Sequence, residues 1–264
     1  MVFPEIKPRG EQHTLFAAVV RSAMLPTLLA FFFLIFANGN CSAKEITLSW
    51  ECRLEVDYQT GGSRNYSLKF GIDDQAYREA IQRGIDEEKG TFAGLVCAYR
   101  ESHKWVRDEI AWKLWDGTKN LSLRDRMEVV LNFVSSLSYK ERSTMAQPPI
   151  QTLYEGCGDC DDKAMLAIWI IAGLGHLGND VRAGLVLAQA VTDPNMGHAG
   201  VALRLDPPVG SDWSIVKIEG ETWILTDVTS PGTCRLGDWK RDIYPEVGII
   251  VPPRTAPYLL TLNE

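Results

Sequence analysis

One cysteine in this chain stands where a cysteine can do chemistry. Cys160 ends a glycine-rich turn, Cys157-Gly158-Asp159-Cys160, and opens a segment whose residues 164–172 are apolar on every helical side. A helix apolar all round is buried at the centre of a domain, and nine such residues are too few to span a bilayer. Cys160 therefore sits at the N-terminus of a buried helix, at the edge of a core. The thiolate is the nucleophilic form of cysteine, and the unpaired N–H groups of a helix N-terminus favour it. The backbone N–H of the same residue can face an oxyanion forming on an acyl carbon. Asp161 and Asp162 act the other way: they suit a first helical turn, but their charge raises a nearby thiol pKa. Activation must then come mainly from a base.

Downstream, apolar patterning predicts strands over 181–189, 198–203, 213–219 and 222–227, with Gly220-Glu221 joining the last two. His198 opens the second strand among Gly197, Ala199 and Gly200, small neighbours that leave room for a substrate backbone beside the imidazole. Trp223, Leu225 and Asp227 share one face of the fourth. A carboxylate at a strand end can hold one imidazole nitrogen and leave the other for a thiol. Singly, a cysteine, a histidine or an aspartate of this kind is more often structural. Together, in this order and context, Cys160, His198 and Asp227 point to thiol–imidazole–carboxylate chemistry.

The elements upstream read as a scaffold. Ile46, Leu48, Trp50, Cys52, Leu54, Val56 and Tyr58 alternate with polar residues, Thr60-Gly61-Gly62-Ser63 forms a turn, and Tyr66, Leu68, Phe70 and Ile72 alternate again. This is a hairpin with one buried face. Asp73 and Asp74 start a helix with Tyr77, Ala80, Ile81 and Ile85 at helical spacing. A second helical segment over 97–115 repeats Val106, Ile110 and Leu114. A third over 122–137 opens on Ser122 and Asp125 as a capping pair, followed by Met127, Val130, Leu131 and Val134. These helices read as amphipathic surface layers, with His103 solvated among Glu101, Lys104 and Arg107, and Pro148-Pro149 reads as a loop.

Gly158-Asp159-Cys160-Asp161-Asp162-Lys163-Ala164 resembles the nucleophile motif of the transglutaminase-like superfamily, G-D-C-x-D-x-A. His198-Ala199 is similar to that family's H-A strand start, and Trp223-x-x-x-Asp227 to its W-x-x-x-D strand. The resemblance spans about residues 125–230, with the three motifs in the family's order. It implies an α+β, papain-like core: a central buried helix carrying the cysteine, packed on an antiparallel sheet carrying His and Asp. It also implies roles, with Cys160 the nucleophile, His198 the general base and acid, and Asp227 the orienting carboxylate. Residues 121–264 would form the catalytic domain and 44–120 an N-terminal β-hairpin and helical region. The chain departs from the pattern at Gly200, where an aromatic usually follows H-A. In this it resembles the archaeal and bacterial members more than the tissue transglutaminases. The implied activity is acyl transfer through a Cys160 thioester. Water as acceptor makes a protease or amidase acting on a protein or peptide; an amine makes a cross-linking transglutaminase. A non-catalytic binding module on the same fold is the third reading. Hydrolysis is the expected outcome, because the sequence suggests no dedicated amine pocket and no calcium-site array. Neither a cofactor nor a resident metal is expected.

Cys157 has three accounts: a structural disulfide to Cys52, Cys97 or Cys234, a reversible bond to Cys160 that shuts off the nucleophile, or half of a zinc site completed by His198 and Cys234. The structural disulfide is expected first and zinc last.

Composition sets the compartment and the partners. The 264 residues are 45% hydrophobic and 23% charged, which excludes a disordered chain, a coiled coil and a polytopic membrane protein. Lys plus Arg number 27 against 34 Asp plus Glu, a net charge of −7. Without a basic run, such a chain is no nucleic-acid binder, since phosphate neutralisation supplies most of that affinity. Residues 23–37 form an uncharged apolar stretch of 15, preceded by a slightly positive region. That fits a secretory signal and falls short of the roughly 20 residues of a spanning helix. Residues 37–39 and 41–43 are both possible cleavage sites, and Asn40 before Cys41 argues against lipidation. The alternative is an uncleaved anchor extended upstream by 15–20, although Arg21 and Pro26 interrupt it. The expected location is secreted or periplasmic, or else membrane-anchored facing outside, with the membrane a partner only if residues 1–43 are retained. Removing 1–43 takes the net charge from −7 to −8 and leaves five cysteines, an odd number that fits a free thiol outside the cytosol. N-terminal sequencing of the native protein is expected to start near residue 44; a start at Met1 or Val2 would establish the anchor.

Overall fold

The computed structural model describes residues 43–52, 54, 63–87, 91–142, 146–178, 180–193, 196–207, 212–229, 234–251 and 258–261. The apolar N-terminal segment, Cys41, Val56, Tyr58, the turn at 60–62 and the side chain of Ile85 lie outside the described residues. The hairpin forms as its alternation predicts. β1 (Ala43–Cys52) pairs antiparallel with β2 (Arg64–Asp73), placing Ile46 opposite Phe70 and Leu48 opposite Leu68. Ile46, Trp50, Cys52, Leu68, Phe70 and Ile72 are buried. The Trp50 ring stacks on Tyr66 at 5.7 Å and meets Phe133 edge-on at 5.0 Å, which fixes the hairpin to the helical layer.

α1 (Asp74–Glu87) begins where the Asp73 carboxylate accepts the Ala76 N–H at 2.6 Å. The single helical segment expected over 97–115 is instead two helices, α2 (Phe92–Glu101) and α3 (Lys104–Gly117). Ser102 breaks it. Its hydroxyl and its N–H both donate to the Tyr99 carbonyl, at 2.8 and 3.2 Å, and its own carbonyl accepts the Trp169 indole N–H at 3.1 Å. Local side-chain bonds of this kind compete with the helix ladder, and His103 then takes φ 46, ψ 42. His103 is not the solvated residue expected. Its Nε2 is buried without a hydrogen bond, and burial, with help from Arg83, holds its pKa below the ordinary value.

α4 (Leu123–Ser135) starts at the expected cap, with the Ser122 hydroxyl accepting the Asp125 N–H at 3.1 Å. It is not a surface layer, since every residue from Met127 to Ser135 is buried. Its buried Asn132 is satisfied internally: it donates to the carbonyls of Glu128 and Cys234 and accepts the Cys234 N–H. The prolines at 148–149, read as a loop, start a short helix, α5 (Pro149–Glu155), with Pro149 at its first position, where the missing N–H costs nothing. Gly156 ends it at φ 70. β3 (Ser138–Tyr139) and β4 (Cys157–Gly158) then pair in parallel and deliver the chain to α6 (Cys160–His176).

The four expected strands form as β5 (Ala183–Gln189), β6 (Gly197–Leu203), β7 (Ile215–Ile218) and β8 (Glu221–Thr226). β9 (Val247–Val251) and β10 (Tyr258–Thr261) extend them to a six-stranded, wholly antiparallel sheet of order β10-β9-β5-β6-β8-β7. Leu185, Ala199, Val201 and Leu203 pack into the same core as α6. Val186, Ala188, Ala202, Trp223, Leu225 and Trp239 make a second cluster on the other face. The fold is thus α+β, a central buried helix on an antiparallel sheet.

α3 and α6 touch closely at one glycine. A Cβ on Gly173 would lie 2.8 Å from the Ala111 Cβ and 3.2 Å from the Arg107 Cγ. Helix propensity alone would favour Gly173→Ala by about 1 kcal/mol, whereas overpacking costs about 1–3 kcal/mol. The variant is expected to melt lower, by about 2–4 °C per kcal/mol; a higher melting temperature would show that the two helices can part freely.

Candidate active site

The first turn of α6 is built from carboxylates. The helix runs through the core, with Ala164, Leu166, Ala167 and Ile170 fully buried, so its leading N–H groups need local partners. Asp159 caps it: its carboxylate accepts the Asp162 N–H, and the Asp162 carboxylate accepts the Asp159 N–H at 3.2 Å. Asp162 also accepts the Gln147 N–H at 2.6 Å, and Asp159 accepts the Arg142 N–H at 3.2 Å. The Arg142 guanidinium lies 3.7 Å from Asp162 and pairs with Glu155. Cys160, the first helical residue, is held in this frame.

The Cys160 sulfur accepts a hydrogen bond from the backbone N–H of Ala199, the residue that follows His198 on β6. His198 Nε2 lies 3.3 Å from Asp227 Oδ2, just past the end of β8, and both side chains are about nine-tenths buried. The approach is an ion-pair contact rather than an aligned hydrogen bond. It leaves the Nδ1 edge of the ring for another partner. Thr229 donates its N–H, at 2.8 Å, and its hydroxyl to Asp227 Oδ1. The Tyr244 ring stacks on the imidazole at 4.8 Å, with Trp239 at 5.5 Å. The structure therefore brings His198 and Asp227 into contact and sets the Cys160 sulfur on the amide next to His198.

Gly200 is explained by the same surroundings. A Cβ there would lie 2.5 Å from the Trp239 Cζ3 and 2.7 Å from the Thr226 carbonyl oxygen. Trp239 comes from the segment after β8, and no side chain fits at 200 beside it.

Burial dominates the electrostatics. It pushes the Cys160 thiol up to about 11, with Asp161 and Asp159 adding to the effect and the N–H of Ala199 opposing it. Burial and the neighbouring Asp159 push Asp161 up to about 8, and burial lifts Asp162 to about 6. Asp161 thus keeps its proton near neutrality and repels a thiolate less than its sequence position implies. Asp227 goes the other way: burial works upward, but the His198 ring and Thr229 outweigh it and hold the carboxyl below its ordinary value. Lys163 is wholly buried, donates to the Ser135 carbonyl at 3.2 Å, and is lowered by burial against the charge of Asp227. Burial, followed by the charge of Cys160, raises the Tyr139 phenol; for Tyr244, burial comes first and Asp227 precedes Cys160.

The accounts of Cys157 narrow. Cys97, Cys157, Cys160 and Cys234 are free thiols, which overturns the structural disulfide of Cys157 expected first. Cys157 instead receives a contact from the Arg142 guanidinium at 3.9 Å. The zinc set does not converge either. Among the described residues the convergent ligand atoms are those of Asp159, Cys160 and Asp161, within 4.8 Å of one another. Both of those carboxylates already accept backbone N–H groups, and a thiolate is a poor ligand for the hard cations that carboxylates suit.

No protein-family model and no curated protein matches the sequence. Among solved structures, calcium-bound LapG of Legionella pneumophila is similar at a TM-score of 0.37 and 14% identity, over 70% of this chain and 91% of that one. The EGTA-treated form of LapG aligns at 0.37 and 16%, over 64% and 87%. A candidate cysteine protease from Cytophaga hutchinsonii aligns at 0.36 and 16%, over 84% and 80%. At such scores the likeness carries no argument, and the site stands on its own geometry.

Thr229, Trp239, Tyr244, Lys163, Arg142 and Gln147 escape the sequence reading. Only Lys163 had a visible signal, a charge in the second turn of an apolar helix. The raised Asp161 has a measurable consequence. Between about pH 4 and pH 8 the folded protein keeps a proton that the unfolded chain has lost, so this group's stabilising contribution falls as pH rises through that window. Asp161→Asn keeps an oxygen to accept the Asp162 N–H and removes the titration. Its melting temperature should gain on the wild type by a few degrees from pH 5 to pH 9, at about 2–4 °C per kcal/mol. Parallel melting profiles would show that Asp161 is charged throughout.

Proposed function

We propose that the chain is a cysteine-nucleophile acyl-transfer enzyme of transglutaminase-like type that hydrolyses peptide or amide bonds outside the cytosol. One observation carries the reading: a buried His198–Asp227 pair whose strand also hydrogen-bonds the sulfur of a cysteine at a helix N-terminus. Asp227 meets Nε2, which leaves Nδ1 as the ring nitrogen for the thiol. With the thiol near 11, no standing thiolate is available, and His198 takes the proton as sulfur attacks the carbonyl. The S–C bond forms and the carbonyl π electrons move to oxygen, where the Cys160 N–H stabilises them. Collapse breaks the C–N bond, and His198 returns its proton to the departing amine. Water then attacks the thioester, giving its proton to His198. The C–S bond breaks, leaving a carboxylic acid and the thiol. The 15-residue apolar segment before residue 38 supports an extracytoplasmic site of action. No helix of the described residues is long and apolar enough to cross a membrane.

The decisive test is turnover on a peptide mixture with iodoacetamide labelling. Wild type should be labelled at Cys160 and lose activity in step, and Cys160→Ala should be inactive. Asp227→Asn should stay folded and lose about 10²–10⁴-fold in turnover, since an amide cannot stabilise the imidazolium. Unchanged turnover in that variant would make Asp227 a turn residue.

A further inference from the structure

Three large apolar side chains stay in solvent on the His198 side of the site. Val191, Met196 and Ile243 are 64%, 52% and 36% exposed. Scattered exposed apolar residues are ordinary, but these three are joined. Met196 immediately precedes β6, two residues before His198. Its carbonyl accepts the Ala190 N–H at 3.0 Å. The next residue, Val191, donates its N–H to the Ile243 carbonyl at 3.0 Å. Ile243 in turn adjoins Tyr244, whose ring stacks on the imidazole. Backbone bonds thus hold the end of β5, the start of β6 and the Tyr244 segment together beside His198, and each of the three carries an exposed apolar residue.

Proton delivery decides which part of a substrate meets this rim. His198 must hand its proton to the departing nitrogen, so that nitrogen lies on the imidazole side of the sulfur. The chain that follows the scissile bond therefore leaves on the His198 side, where the segments that carry Met196, Val191 and Ile243 meet. We propose that this rim is a leaving-group subsite that selects substrates with a large apolar side chain directly after the scissile bond. The inference rests on the hydrolytic reading above. Acidic residues are rejected there twice: they lose hydration against apolar side chains, and they meet Asp193, whose carbonyl accepts the Met196 N–H, and Asp242 in the turn before Ile243.

The test is cleavage of a proteome-derived peptide library by the full chain, with cut sites read by mass spectrometry. Leu, Ile, Met and Phe should exceed Asp and Glu after the cut bond by about tenfold or more, the scale on which an apolar pocket discriminates. Met196→Lys, at a half-exposed position that tolerates charge, should collapse that ratio and raise the share of Asp and Glu. Ile243→Ser, with melting and Cys160 labelling followed in parallel, should lower the ratio without a new acidic preference. Cleavage with a flat distribution after the cut bond, or a Met196→Lys pattern identical to wild type, overturns the subsite and leaves the hydrolytic reading standing. No cleavage of any peptide, together with no labelling of Cys160, overturns both.

Discussion

The site depends on the burial of α6. A 17-residue helix passes through the core with no solvated side along most of its length, so the N–H groups of its first turn have little water to bond and need partners from the chain. The reciprocal Asp159–Asp162 cap answers that need, and it places Cys160 at the first helical position as a by-product. The same burial acts on every ionisable group of the opening turns. Cys160, Asp161 and Asp162 are all pushed toward their neutral forms, and Lys163 toward its own. A helix N-terminus that would lower a thiol pKa in water is thus overruled by the loss of water. The chemistry then has to come from a base that removes the proton in the act of attack.

That requirement explains how closely the imidazole is held. Asp227 meets it at one nitrogen, Tyr244 covers a face, and Trp239 closes from the side while donating its indole N–H to the Tyr244 carbonyl at 3.2 Å. Asp227 is fixed by two Thr229 donors, and its charge is balanced from within the helix by Lys163. A base held in one orientation spends little entropy in reaching the reacting geometry.

The parts legible in the sequence are those written in local patterns. Alternation over β1 and β2 and over β5 to β8, and the apolar run of α6, each name an element within a short window. Cys160, His198 and Asp227 stand at the ends of such elements, where their context can be read. What escaped is written elsewhere in the fold. Ser102 splits a periodic segment because Trp169, far along the chain, takes its carbonyl. Asn132 and Glu128 make α4 look half solvated, although Asn132 is satisfied by Cys234 more than a hundred residues on. β9 lies among prolines and joins β5 across a long connection, so no neighbouring turn announces it. The supporting ring of Thr229, Trp239 and Tyr244 belongs to segments with no periodicity at all.

The segment 234–244 brings an aromatic ring against the strand that carries His198. Gly200 leaves the space, and Trp239 fills it, its Cζ3 lying 2.5 Å from where a Cβ at that position would stand. An aromatic carried on a connecting segment creates a demand, because a connection is less fixed than a strand. The chain meets it at both ends. Cys234 is bonded through its backbone to Asn132 on α4, and its thiol donates to the Asp227 carbonyl at 3.2 Å. Further along, the Ser214 hydroxyl donates to the Trp239 carbonyl, and the Asp227 N–H donates to the Asp238 carbonyl. The buried asparagine of α4, a costly residue in a core unless bonded, is thereby accounted for. It anchors the segment that carries Trp239 and Tyr244, the two rings packed against His198.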